Sequence, residues 1–306
     1  MKKLLFLSIF AIFAFASATV SAQNTGDLPS IGSKHQYWVN GTYGTPTTGA
    51  NSTYTWWVST SAANLLTPVT TPTEFTPTSG YNAGAVGQNG IEITWNPSSA
   101  GKTYYLVVQE TGVAPLCTNI KAYAIQPKNN FELVFAALNA DGTTPGDNLS
   151  RCAPSIALTA SGTDITYNYG SDTYLYKLTS TGLYTDWSFV NAFTNSLGNA
   201  AAVTEYQIGG TAGTWTAITT PITVPANATG TEVVYIRVSL NNGTTAGTFE
   251  EGLVARTMKL TLSQVKDAGN NAVTKILNSA AANITATPEQ TQTVKARPST
   301  SGISSN

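Results

Sequence analysis

TYTWWVS, residues Thr53–Ser59, decides how this chain is to be read. Side chains alternate sides along an extended strand, so Tyr54, Trp56 and Val58 share one face. Thr53, Thr55, Trp57 and Ser59 share the other. One face is apolar enough to be core, which leaves a second tryptophan among hydroxyls on the outside. HQYWVN repeats the pattern, with Tyr37 and Val39 on one side and Trp38 on the other.

Period-two runs continue from there. Ile91, Ile93 and Trp95 line one face of IEITWNP, and Tyr104, Leu106 and Val108 one face of TYYLVVQET. IKAYAIQPK and FELVFAAL follow, separated from their neighbours by Gly, Pro, Asn and Ser clusters that read as turns. Residues 65–90 are less regular and read as a long crossing loop with one edge strand. After the Gly/Pro/Asp-rich stretch DGTTPGDN at 141–148, a second series begins. In it Val234, Ile236, Val238 and Leu240 share a face, as do Met258, Leu260 and Leu262. No stretch shows a helical period of any length. The expected architecture is all-β, two tandem immunoglobulin-like sandwiches at residues 30–140 and 149–279. Residues 280–306, polar and proline-containing, read as a flexible tail or a donated strand.

The chain opens MKKLLFLSIFAIFAFASATVSAQN, two lysines before a short apolar run that closes on small residues. That is the layout of a secretory signal peptide cut after Ala22. The expected location is therefore secreted, extracellular or cell-surface, with the periplasm as the alternative, and no transmembrane segment in the mature chain. Charged residues make up 10% of the sequence, 15 Lys and Arg against 16 Asp and Glu. Such a balance gives nucleic acid no electrostatic footing. Two cysteines, Cys117 and Cys152, suggest a disulfide in an exported chain. Closing that loop of about 35 residues would stabilise the fold by roughly 3–4 kcal/mol in the chain-entropy model.

Y-x-W-x-V at Tyr54, Trp56 and Val58, I-x-W at Ile93 and Trp95, and Gly101, Tyr104, Leu106, Val108 and Glu110 carry a further signal. Together they resemble the PKD-like, immunoglobulin-like domains of secreted Bacteroidota proteins, over roughly residues 34–127. An extra residue between Gly101 and Tyr104 departs from that pattern. The resemblance implies a structural or adhesive surface component, a fold that hosts several functions. No sorting domain of the type IX kind is recognised at the end of the chain.

Chemistry has few candidates. The single histidine, His35, sits at a strand edge, and no nucleophile elbow, zinc motif or phosphate loop is present. Glu250 and Glu251 are adjacent and so point apart on a strand. Asp141 and Asp147 lack the spacing of a calcium loop. The expectation is no enzyme, no cofactor and no metal. The outward aromatics Trp38, Trp57 and Tyr105 would form a contact patch if their strands shared a sheet. Trp57 is then covered by the chain itself, by another surface protein or a second copy, or by a glycan stacked on the rings. An outer-membrane barrel fits the alternation but wants a lipid-facing band and a terminal aromatic residue, where this sequence ends in Asn306.

Overall fold

A computed structural model describes residues 27–139, 142–147, 149–196, 203–243 and 252–298. The signal peptide assignment, Asp141 and the Glu250–Glu251 pair lie outside the described residues. The first half builds β1 (Lys34–Trp38), β2 (Gly41–Thr42), β3 (Thr45–Pro46), β4 (Thr53–Ser59), β5 (Phe75–Pro77), β6 (Ala85–Val86), β7 (Gly90–Trp95), β8 (Tyr104–Thr111) and β9 (Thr118–Ile125). The second half begins with β10 (Glu132–Leu138), β11 (Pro145–Gly146), β12 (Leu149–Cys152), β13 (Ala157–Ser161), β14 (Asp164–Asn168), β15 (Ser171–Thr181) and β16 (Trp187–Asn195). It continues with β17 (Val203–Ile208), β18 (Thr216–Ala217), β19 (Ile222–Val224), β20 (Glu232–Asn241), β21 (Arg256–Asp267), β22 (Lys275–Leu277) and β23 (Glu289–Lys295). The chain is all-β. Among the described residues no helix is long and apolar enough to cross a membrane.

In the first half, a sheet ordered β1-β7-β5 faces one ordered β6-β4-β8-β9. The core between them holds Tyr54, Trp56 and Val58 from β4, Ile91, Ile93 and Trp95 from β7, and Tyr104, Leu106 and Val108 from β8. These are the faces that the period-two pattern selects. Trp95, Tyr104 and Phe75 meet in tilted and edge-on pairs with ring centroids 4.8 to 6.2 Å apart, contacts that add about 0.5–1.5 kcal/mol per pair beyond burial. In the second half, a sheet running β11-β10-β15-β20-β17-β18 faces one ordered β12-β23-β21-β16-β19. Val234, Ile236 and Val238 meet Met258, Leu260 and Leu262 in a separate core.

Three expectations are corrected here. FELVFAAL belongs to the second core, not the first: Leu133, Phe135 and Ala137 of β10 pack there with Tyr176 and Leu178. The chain therefore passes between cores near residues 127–130. Within the stretch read as the boundary, Pro145 and Gly146 instead pair back onto β10, Leu138 with Pro145 and Ala137 with Gly146. Residues 280–298 are no loose tail, since β23 is an inner strand between β12 and β21. Its polar letters hide an inward face: Gln290 and Gln292 are each 3% exposed beside Val294. Gln290 Nε2 donates to Phe135 O at 2.8 Å and Gln292 Nε2 to Leu175 O at 2.8 Å. A buried amide with its hydrogen bonds made is tolerated in a core, so β23 fills a place that composition alone assigns to solvent.

The disulfide is also corrected. Cys117 and Cys152 are both free and exposed. Cys117 sits in the turn that joins Thr111 to Thr118, while the far end of that hairpin, Tyr104 beside Ile125, adjoins the second half. Cys152 closes β12, next to Arg151, whose side chain reaches Thr173 O at the far end of β15. The two thiols stand at opposite ends of the molecule. A bond needs Cα atoms within about 7 Å.

Candidate functional site

The three aromatics singled out from sequence do not come together. Trp38 is on β1, in one sheet, and is 49% exposed. Trp57 and Tyr105 lie on the other sheet, at diagonal positions of β4 and β8, where Ser59 faces Tyr105 and Trp57 faces Val107. Trp57 is 7% exposed despite pointing away from the sandwich core. The chain itself covers it: Trp57 Nε1 donates to Leu65 O at 2.8 Å, and Val69 N donates to Val58 O at 2.8 Å, drawing the irregular loop over the ring. Tyr105 is half-buried on that same outer face.

What the structure assembles instead is a groove on the open side of the first sandwich. Among the described residues β1 pairs with β7 alone and β9 with β8 alone, so both are edge strands there. Between these edges lies a cavity of about 350 Å³, lined by Tyr37, Trp38, Trp56, Leu106, Lys121 and Tyr123 among others. Its floor is core side chains, and its rim is the half-exposed Trp38 and Tyr123, the latter 46% exposed. The Tyr37 ring is fixed beneath them, its hydroxyl accepting from Trp95 Nε1 at 3.0 Å with its centroid 6.5 Å from that of Tyr123. Burial pushes the Tyr37 hydroxyl well above the ordinary phenol range, so it stays protonated. The floor is neutral and apolar, and among the described residues the outer edges of β1 and β9 pair with no further strand. Such a site takes an extended chain whose main-chain groups pair with an edge while its side chains enter the cavity.

Sequence reading passed over Tyr123 and Lys121. Both alternate with the buried Ile125 on β9 and so share its face, but nothing in IKAYAIQPK marks it as an edge strand. All of β9 except Ile125 is exposed.

His35 is 7% exposed and its Nε2 lies 2.7 Å from Ser33 Oγ. Ser33 Oγ donates to Ser30 O at 2.7 Å; with its proton spent there, the hydroxyl is the acceptor and the imidazole the donor. Burial lowers the His35 pKa to about 4. Asp147 holds hydrogen bonds within the fold, from Ser279 and Gln290 among others.

No family model and no curated protein matches the chain. Among solved structures it is similar to the secreted serine protease VesC from Vibrio cholerae, at 10% identity and a TM-score of 0.21, over 77% of this chain and 47% of that one. It is also similar to the C-terminal domain of the Streptococcus agalactiae AgI/II polypeptide BspA, at 9% identity and a TM-score of 0.23, over 78% of this chain and 91% of that one. The chain thus spans about half the length of VesC. The expectation that the chain is not an enzyme is corrected by the first match, because a protease is among the similar structures. At these scores neither match assigns a function.

Proposed function

We propose that this chain is a secreted or cell-surface contact protein that binds an extended segment of another protein along the β1–β9 groove. The observation that carries this reading is the pair of strand edges, unpaired among the described residues, that flank an apolar cavity rimmed by Trp38 and Tyr123. The export reading rests on residues 1–22. The division into two immunoglobulin-like units rests on the two separate cores, with the boundary at residues 127–130. The PKD-like reading of the first unit is supported by the burial of Tyr54, Trp56, Val58, Ile93, Trp95, Tyr104, Leu106 and Val108.

Beads coated with the protein test the reading. They are scored for clumping with one another and for adherence to surfaces coated with extracellular protein or with polysaccharide. Trp38→Ser combined with Tyr123→Ser should lower clumping or adherence to protein by about tenfold, a loss of about 1.4 kcal/mol in contact energy. The melting temperature should stay within about 4 °C, as both side chains are half in solvent. Unchanged adherence and clumping would overturn the proposal, and loss confined to polysaccharide would replace it with glycan binding.

A further inference from the structure

The described chain begins at one end of the groove, and it begins already paired. Gln126 N, just past β9, donates to Asp27 O at 2.7 Å, and Lys128 N donates to Pro29 O at 2.8 Å. Ile31 N returns a bond to Lys128 O at 3.1 Å, and Ser30 bridges Lys128 in parallel. Residues 27–31 thus run parallel to 126–128, on the side of β9 that faces away from β8. Followed backward from Asp27, the same line leads along that edge toward Tyr123 and Lys121, the groove side. A second observation agrees with the direction. Behind the larger effect of burial, the Asp27 carboxylate raises the pKa of both the Tyr123 and the Tyr37 hydroxyl, so its charge lies on the groove's side.

We propose that the chain's own residues Gln23–Gly26 continue this parallel pairing along β9 and act as a strap that competes with a partner for the groove. The inference rests on the groove reading above and names its regulation. The register follows from the bonds already made. N–H groups alternate sides along a strand, so Ala124 N and Ala122 N face the same way as Gln126 N. Continued in step, Ala124 N donates to Thr25 O, Thr25 N to Ala122 O, and Ala122 N to Gln23 O. Thr25 then stands beside Tyr123 and Gln23 beside Lys121. Cut after Ala22, the chain keeps four residues ahead of Asp27, about 13 Å of strand against about 26 Å for the eight residues of β9. The strap takes the half of β9 next to Ile125 and leaves Thr118–Ile120 open. A partner's segment that pairs along the whole edge must displace it. The point of cleavage therefore sets how strongly the groove is occluded.

Amide hydrogen exchange, read by NMR, and bead adherence to extracellular protein test this on the exported chain starting at Gln23. A chain starting at Asp27 should exchange its Ala122 and Ala124 amides about fivefold faster, the worth of about one net hydrogen bond. It should adhere about fivefold more tightly, because only the open fraction binds. Thr25→Pro, in the chain starting at Gln23, removes the donor that faces β9 and sets its ring there; it should reproduce both changes. Asn24→Pro, whose ring faces away from β9, should behave like the native chain. Exchange unaltered by removal of residues 23–26, equal effects of the two proline variants, or a shortened chain that adheres no better would each overturn the strap. If exchange is unaltered while Trp38→Ser with Tyr123→Ser still lowers adherence, the strap fails and the groove reading stands. If exchange quickens but that double variant adheres like the native chain, the groove reading fails and the competition with it.

Discussion

Trp38 and Trp57 share a sequence signature, an indole out of phase with its strand's apolar face, yet they have opposite fates. Trp57 Nε1 finds Leu65 O and the ring is roofed by the loop. Trp38 has 49% of its surface in solvent. The energetic expectation follows from burial. Trp57→Ala should cost about 3 kcal/mol, from lost transfer energy and the cavity left under the loop, whereas Trp38→Ala should change stability by no more than about 0.5 kcal/mol. Urea unfolding of the two variants checks the contrast, and equal losses would show that the loop is not the cover. Glutamines on β23 carry the converse lesson. Gln290 and Gln292 look like solvent-facing residues and are core, because carbonyls of β10 and β15 await their amides.

At the scale of elements, β22 and β23 are tied to the β10–β12 connection through one carboxylate. Asp147 accepts from Ser279 N at 3.0 Å, Ser279 Oγ at 2.7 Å, Ala280 N at 3.2 Å and Gln290 Nε2 at 2.9 Å. Partial burial raises its pKa, but the hydrogen bonds from Ser279, Gln290 and Ala280 outweigh it and hold the carboxyl below its ordinary value. A carboxylate depressed in the folded state stabilises the fold above its unfolded pKa, about 3.9, and loses that contribution as pH falls through the lower folded value. Asp147→Asn should therefore cost about 1 kcal/mol at neutral pH, discounted for solvent screening of a half-exposed group. The gap should narrow as pH falls below about 3.9, which urea titrations at pH 7 and pH 2.5 measure. The strand faces of β4, β7, β8, β20 and β21 were legible from alternation. The pairing of β23 was not, because its parallel partner β12 lies about 140 positions away in sequence and nothing local encodes that meeting.

Across the whole molecule, hydrogen bonds bridge the two halves. Asn129 Nδ2 donates to Ala272 O at 2.8 Å, Asn130 Nδ2 to Ser30 Oγ at 2.7 Å, and Asn271 Nδ2 to Pro97 O at 3.0 Å. Gly182, with φ of +69°, lies against this seam, where a Cβ would stand 2.3 Å from Asn130 O. Polar contacts of this kind couple two cores weakly, so calorimetry should resolve two unfolding transitions; a single two-state peak would show the halves to be one cooperative unit. The sequence by itself determined that the chain is β throughout and which side of each long strand faces inward, because a period of two is a local property written residue by residue. Only the tertiary structure decided where one core ends and the next begins, that the cysteines stand far apart, that Trp57 is roofed, and that β1 and β9 are left as edges around a groove. Each of these depends on which distant strands pair, and pairing is a competition among long-range contacts that no single stretch of residues records.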